Sequence, residues 1–365
     1  MAVSACVMSG DEGFTPSLAW HPNPGVPIIE RLLTSLTVSD VFDELVIGWN
    51  GSRIADLNSL LARCAPEAKV FFRPWDRDFG GALNHMFERA TGAFKFYFDT
   101  DDVVNWPLGE FKRFLRMLGR QHVIVSMPYH QDIDENGFIK MIVDLPRGGS
   151  GDLKFVGRMH AMLAGNGGTR HWHMPVKHYP INTEARSDRN LKVLRLEYED
   201  QVKERGQADF RLLADLGRAT RGAEAARYNE MALGLAPTPE ARFMVLRTIV
   251  RNEIANRNLA AAKKCVEKMQ KILPRRCEPH FMLSICAYLE KDYQGCINQY
   301  WQGARADSSI MAAELAMDRT KAMLDAALSH IAMGEEAAAY ALLGYLYKIT
   351  KDPGVKSLQA RLRAS

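Results

Sequence analysis

Phe94-Lys-Phe-Tyr-Phe-Asp-Thr-Asp-Asp102 decides the fold of the first half of the chain. An aromatic-rich apolar run stops abruptly at three carboxylates separated by one threonine. Such a run reads as a strand, and open α/β sheets bind ligands at the carboxyl ends of their strands. Acids this close repel one another and raise one another's pKa unless a cation offsets them. Mg²⁺ or Mn²⁺, which prefer carboxylate oxygen, suit that role. A divalent ion held there bridges two phosphates of a nucleotide diphosphate and stabilises the charge on the departing diphosphate. A polar loop capping the next helix would produce the same four letters, so the context has to discriminate.

Working outward, further strands are predicted at Glu44-Leu-Val-Ile-Gly48, Lys69-Val-Phe-Phe72 and Val123-Ile-Val-Ser-Met127. Helical spacing marks Pro27 to Leu36, Ala55 to Cys64 and Gly81 to Ala90 between them. Strands alternating with helices imply an α/β class, a mostly parallel sheet with helices on its faces, over residues 1–184. From 185 to 365 apolar and alanine positions recur at helical spacing and strand signals vanish. Arg221 to Pro237 resembles Arg257 to Pro274, both alanine-rich helices closed by proline. An offset of about 34 residues also aligns Leu259 with Tyr293 and Ala262 with Cys296, and another copy begins near Gly334. That is the period of tetratricopeptide-like helical hairpins. A non-repeating bundle is the other reading.

Among the 365 residues 47% are apolar and 25% charged, and the mean hydropathy is -0.21. These are globular values, unlike those of membrane or disordered chains. A net charge of +4 is compatible with an anionic ligand and far below the footprint of a dedicated nucleic-acid binder. Six scattered cysteines, without CxxC pairs, read as reduced thiols. The apolar start, Met1 to Met8, lacks a basic leader and meets Asp11 and Glu12 at once, so no signal peptide is expected. No apolar stretch reaches 18 residues. The expected location is cytoplasmic, with no membrane partner.

Ordered landmarks from Ile28 to Val104 resemble family 2 glycosyltransferases, particularly bacterial and phage members with carboxyl-terminal tetratricopeptide repeats. They are the helix Ile28 to Leu36, the strand and turn Leu45-Val-Ile-Gly-Trp-Asn-Gly-Ser52, the segment Pro74-Trp-Asp-Arg-Asp-Phe-Gly-Gly-Ala-Leu-Asn84, Ala90-Thr-Gly92 and Asp99-Thr-Asp-Asp102. The resemblance implies a GT-A fold and a nucleotide-diphosphate-sugar site. In it Asp99 lies near the ribose or sugar, Asp101 holds the metal with Asp102 beside it, Trp49, Asn50, Gly51 and Ser52 flank the base, and Asn84 shapes the diphosphate pocket. Further on, Phe155-Val-Gly-Arg-Met-His-Ala-Met162 and His171-Trp-His-Met-Pro-Val-Lys-His-Tyr179 are similar to stretches that precede the repeats in related transferases. His178 is thereby implied as a second metal ligand, with His160 the other candidate.

Two departures stand out. Trp49 occupies the place of the family's usual acid for uracil, so the base stays open: an indole stacks on any base while Asn50 reads hydrogen bonds, and UDP is favoured only by family habit. Ala161 replaces the glutamate that usually follows the histidine. Candidates for a general base are then Asp132, Asp134, Asp152 and His160. A thiol acceptor would ease the demand for one. Pro146-Arg-Gly-Gly-Ser-Gly151 and Gly165-Asn-Gly-Gly168 read as acceptor-site loops or plain surface turns.

The expected activity is metal-dependent transfer of a hexosyl or pentosyl group to a macromolecule. The acceptor is a protein or peptide laid along the repeats, which also offer a homodimer contact. One alternative is transfer to a modified DNA base, for which Arg218, Arg221, Arg227, Arg242, Arg247 and Arg251 speak. The other is a tetratricopeptide scaffold with a degenerate transferase half.

Overall fold

The computed structural model describes residues 2–18, 21–39, 41–107, 109–119, 121–133, 139–159, 161–179, 184–306, 312–350 and 352–364. The chain divides into two compact units, Met1–Arg186 and Ser187–Ser365.

The first unit begins with β1 (Val3–Ser9), a 3-10 turn (Asp11–Phe14), α1 (Ile28–Val38), β2 (Glu44–Trp49), α2 (Ile54–Cys64), β3 (Lys69–Phe72), α3 (Phe79–Arg89) and β4 (Phe94–Asp99). It continues with β5 (Asp102–Val104), α4 (Glu110–Leu118), β6 (Val123–Ile133), β7 (Ile139–Ser150), β8 (Lys154–Val156), β9 (Met162–Ala164), β10 (Gly168–His171) and β11 (Val176–His178). The main sheet runs β3-β2-β1-β4-β7-β6-β11-β5, with β10 added beside β6. β1 to β4 are parallel, and β7 enters antiparallel between β4 and β6.

β4 forms because its aromatic residues have somewhere to go on both faces. Phe94, Phe96 and Phe98 point into one core with Ile29, Leu33, Phe111 and Trp106, and Tyr97 points into the other against Phe155, 5.0 Å away. Each fully buried phenylalanine contributes about 1.5–3 kcal/mol of hydrophobic stabilisation. β2 alternates likewise, with Leu45, Ile47 and Trp49 toward the first core and Val46 toward the second.

Two features differ from expectation. The apolar start of the chain is β1, a central strand between β2 and β4. Pro146 to Ser150, expected as a loop, is the end of β7. Its glycines are there for close approach: a Cβ at Gly148 would sit 2.0 Å from the Lys95 carbonyl, and one at Gly149 1.9 Å from that of Val123. Only bare backbone fits between β4 and β6. Gly165 to Gly168 does lie in a turn, linking β9 to β10.

The second unit is all helical among its described residues: α5 (Glu184–Arg205, which begins in the first unit), α6 (Phe210–Ala219), α7 (Gly222–Leu235), α8 (Pro239–Ala255), α9 (Leu259–Ile272), α10 (Glu278–Leu289), α11 (Tyr293–Arg305), α12 (Ala312–Ala332), α13 (Glu336–Thr350) and α14 (Pro353–Ala364). Consecutive helices pack as hairpins, α6 with α7, α8 with α9, α10 with α11 and α12 with α13. Leu259 and Tyr293, aligned by the sequence offset, are the first residues of α9 and α11. The preceding Asn258 and Asp292 cap them by accepting from Ala261 and Gly295 N–H. Ala262 and Cys296, aligned by the same offset, are both fully buried. Among the described residues no helix is long and apolar enough to cross a membrane.

Candidate active site

The carboxyl end of β4 delivers Asp99, and the turn that follows hands the chain to β5 at Asp102. β11 pairs antiparallel with β5 so that His178 lies opposite Asp102. A histidine 76 residues away is thereby carried to the acids, its Nδ1 3.1 Å from Asp102 Oδ1 and 3.4 Å from Asp101 Oδ1. Tyr179 N–H (3.0 Å) and the Arg31 guanidinium (3.2 Å) both donate to the Asp101 carbonyl, which fixes the turn's backbone.

The three acids are not equivalent. Asp102 is fully buried and richly bonded, accepting from Asp99 N–H (2.8 Å) and the Tyr129 hydroxyl (2.9 Å) and lying 3.4 Å from an Arg147 nitrogen. Its role is to shape the turn. Asp99 is half exposed and receives the other Arg147 nitrogen at 3.1 Å. The Asp101 side chain is buried beside His178. Burial works against charge on the His178 imidazole, but Asp101, then Asp102 and Asp99, hold its pKa above the ordinary value. Burial and then Asp102 push the Tyr129 hydroxyl well up, keeping it a donor.

Asp101, Asp102 and His178 present ligand atoms within 4.8 Å of one another. Two carboxylates and an imidazole fit Mg²⁺ or Mn²⁺. Because Asp102 is already engaged by the turn, Asp101 and His178 are the groups that would hold the ion.

Beyond the ends of β1, β2 and β3, Met8, Asn50, Arg73, Trp75, His85 and Met86 line a small pocket. Asn50 lies among these residues, its N–H bonded to the Ser9 carbonyl at 3.0 Å. Gly51 and Ser52 pack on the loop after β1: the Ser52 hydroxyl (2.7 Å) and Arg53 N–H (2.9 Å) donate to Asp11. The Arg53 N–H and then Ser52 hold the Asp11 carboxyl below its usual range. A side chain at Gly51 would strike Asp11, its Cβ 2.3 Å from a carboxylate oxygen.

Several expected roles fail on geometry. Trp49 borders the pocket, but its indole is 1% exposed and lies edge-on to Phe14 at 5.6 Å, in the core rather than open to a base. Trp75 is the indole-bearing residue of the pocket outside that core. Asn84 bonds with both ends of its amide to Phe155, donating to the carbonyl at 2.9 Å and accepting from the N–H at 2.7 Å. It ties α3 to β8 instead of facing a diphosphate. Asp152 is exposed beyond Ser150, which pairs with the first residue of β6, and the neighbouring Gly149 pairs with Lys95 near the start of β4. Four residues of strand at about 3.3 Å each put it roughly 13 Å or more from Asp99. Asp132 falls near the end of β6, at a position whose side chain is outside the described residues, as are His160 and Asp134 altogether.

Three residues of the site had no sequence signal of their own. Arg147 was masked by its glycines, Tyr129 by its place in an apolar strand, and Arg31 by its place among the apolar residues of α1.

Residues 26–159 match the model of Glycosyl transferase family 2, a span that contains the Ile28 to Val104 landmarks. No curated protein matches the chain. Among solved structures, TarS of S. aureus is similar at 13% identity, covering 81% of this chain and 54% of that one with a TM-score of 0.35. TTC0263, a thermophilic TPR protein of Thermus thermophilus, is similar at 15% identity over 50% of this chain and 92% of that one, also at 0.35. HddC from Yersinia pseudotuberculosis is similar at 16% identity over 40% and 72%, with a TM-score of 0.26. The first unit is a Rossmann-like α/β domain whose residues 26–159 are similar to family 2 glycosyltransferases, and a helical domain follows it.

Proposed function

From a family 2 glycosyltransferase region over residues 26–159, we propose that this chain transfers a hexosyl or pentosyl group from a nucleotide-diphosphate sugar to a macromolecular acceptor, using Mn²⁺ or Mg²⁺. The observation that carries this is the convergence of Asp101 and His178 at the carboxyl end of β4. When bound there, a divalent ion would neutralise the diphosphate and favour its departure. Asp99, half exposed on a rigid strand end, accepts a hydrogen bond from a sugar or ribose hydroxyl. Beyond the ends of β2 and β3, Asn50, Arg73 and Trp75 are the residues that would meet the base, with Trp75 as the stacking ring; the small, apolar pocket they border does not enclose it. A UDP-sugar is the first donor to test.

The helical hairpins support a protein or peptide acceptor, since stacked hairpins form extended faces suited to a peptide. They also offer a surface for a homodimer. Transfer to DNA is less favoured, because Arg247 and Arg251 are committed to Asp318 at 2.7 and 2.8 Å and Arg218 to Asp215. A degenerate scaffold is disfavoured by the retention of a buried Asp101–His178 pair.

The test is a screen of UDP-, GDP- and TDP-sugars for binding and hydrolysis with Mn²⁺ or Mg²⁺, on the wild type and Asp101→Ala. Metal-dependent turnover that disappears in the variant is expected. Absence of binding to any nucleotide sugar would move the weight to the scaffold.

A further inference from the structure

Three carboxylates within four residues need counter-charge, and besides His178 and Arg31, whose guanidinium donates to the Asp101 carbonyl, the fold supplies a second buried guanidinium. Arg147 is 1% exposed, with one nitrogen 3.1 Å from Asp99 and the other 3.4 Å from Asp102. Its guanidinium lies over Tyr129 at 4.1 Å and over Tyr97 at 4.6 Å. A planar fork bridges two carboxylates as an ammonium does not, and aromatic faces stabilise a cation withdrawn from water. The position is built in: the Gly148-Gly149 backbone lets β7 slide between β4 and β6, which brings residue 147 up to the acidic turn.

We propose that Arg147 is a positioning residue and the resident cation on the Asp99–Asp102 side of this site: it neutralises Asp99 and Asp102, leaves Asp101 and His178 to answer to a divalent ion, and holds the turn in its working shape before metal or donor arrives. This rests on the metal-site reading above. Its measurements need no sugar donor, so a failed donor screen and a failed Arg147 test are distinguishable.

The experiment compares melting of the full chain in chelator and in Mn²⁺ at about ten times the wild type's Kd, and Mn²⁺ affinity by calorimetry, for the wild type, Arg147→Lys and Arg147→Met. The wild type should melt in chelator within about 6 °C of the Mn²⁺-loaded protein, as expected of mass action alone at that concentration. Arg147→Met should melt about 10 °C lower in chelator, recover at least half of that with Mn²⁺, and bind Mn²⁺ about tenfold more tightly, because the ion now faces uncompensated acids. Arg147→Lys keeps the net charge and should match wild-type Mn²⁺ affinity within about threefold, while melting below the wild type because an ammonium does not bridge Asp99 and Asp102.

An equal loss for Arg147→Met with and without Mn²⁺, at unchanged affinity, would reduce Arg147 to a packing role and overturn the proposal. So would a tenfold tightening in Arg147→Lys. If Arg147→Met does not fold, the wild type still decides, since a drop of about 10 °C on chelation means that the turn is not held without metal.

Discussion

The two ends of the parallel sheet use the same chemistry to opposite purposes. At the start of β2, Glu44 accepts from the Lys69 ammonium at 2.6 Å, from Thr91 N–H at 2.7 Å and hydroxyl at 3.0 Å, and from the Ser4 hydroxyl. Every donor comes from neighbouring elements of the same sheet end, and the knot is closed. At the far end of β4, Asp102 is equally tied, to Asp99 N–H, Tyr129, Arg147 and the His178 imidazole at 3.1 Å, while Asp99 is half exposed and Asp101 lies 3.4 Å from the same imidazole. A carboxylate bound up in its own chain's hydroxyl, amide and guanidinium donors is scaffold; one that also faces solvent, as Asp99 does, or stands with an imidazole at ligand spacing, as Asp101 does, can serve a ligand. Both kinds stand in the same four-residue turn.

The sharpest way to break this contrast is Asp101→Ala. It should lower turnover of a nucleotide sugar by about 10²–10³-fold, the order seen when one group stabilising transition-state charge is removed, and, because its carboxylate is buried beside His178, lower the melting temperature as well. Gly148→Ala, which drives a Cβ into the Lys95 carbonyl, should cost about 3 kcal/mol or more in denaturant unfolding by prising β7 from β4.

Glu44→Gln tests the closed end. Burial opposes the charge on Glu44, but Lys69, Ser4 and Thr91 more than offset it and lower its pKa from 4.5 to about 2. A group with a depressed folded pKa stabilises above its unfolded value and loses that contribution as pH falls through the folded one. The wild type should therefore exceed Glu44→Gln by roughly 3 kcal/mol at pH 7, and the difference should shrink from about pH 4.5 to vanish near pH 2, followed by chemical denaturation across that range. Asn84→Ala should cost about 1–3 kcal/mol in stability while leaving nucleotide affinity within about threefold, because the amide serves Phe155. A large affinity loss at unchanged stability would return Asn84 to the ligand. Smallest of all, Asp292→Ala and Asn258→Ala should each cost about 1 kcal/mol as lost helix caps, read from unfolding of the helical unit.

Much of this was legible in the sequence where periodicity was clean. Aromatic alternation marked β4, apolar runs marked β2 and β3, and helical spacing marked α1 to α3. β1 escaped because its short run of small residues, buried on both faces, carries no alternation. Trp49 was misplaced although the signal was there, since period two from Leu45 and Ile47 sends the indole to the core. Arg147 was hidden by physics rather than by oversight: glycines that permit close strand packing look the same in sequence as glycines that permit a turn. The alternation of Ile139 to Leu145 just before them was the available hint that a strand was still running. His178 was named only through resemblance, because the β11–β5 register that brings it to Asp102 spans 76 residues. Asp152 failed for the converse reason, being near in chain order and a strand length away in space.

The most direct measurement of the central claim is Mn²⁺ binding by electron paramagnetic resonance, with and without UDP, on the wild type, Asp101→Ala and His178→Ala. One bound ion with a nitrogen ligand, tightened by UDP and weakened at least tenfold in both variants, is the predicted result. Binding that survives both substitutions unchanged would mean that the Asp101–His178 pair does not hold the ion, and would contradict the account.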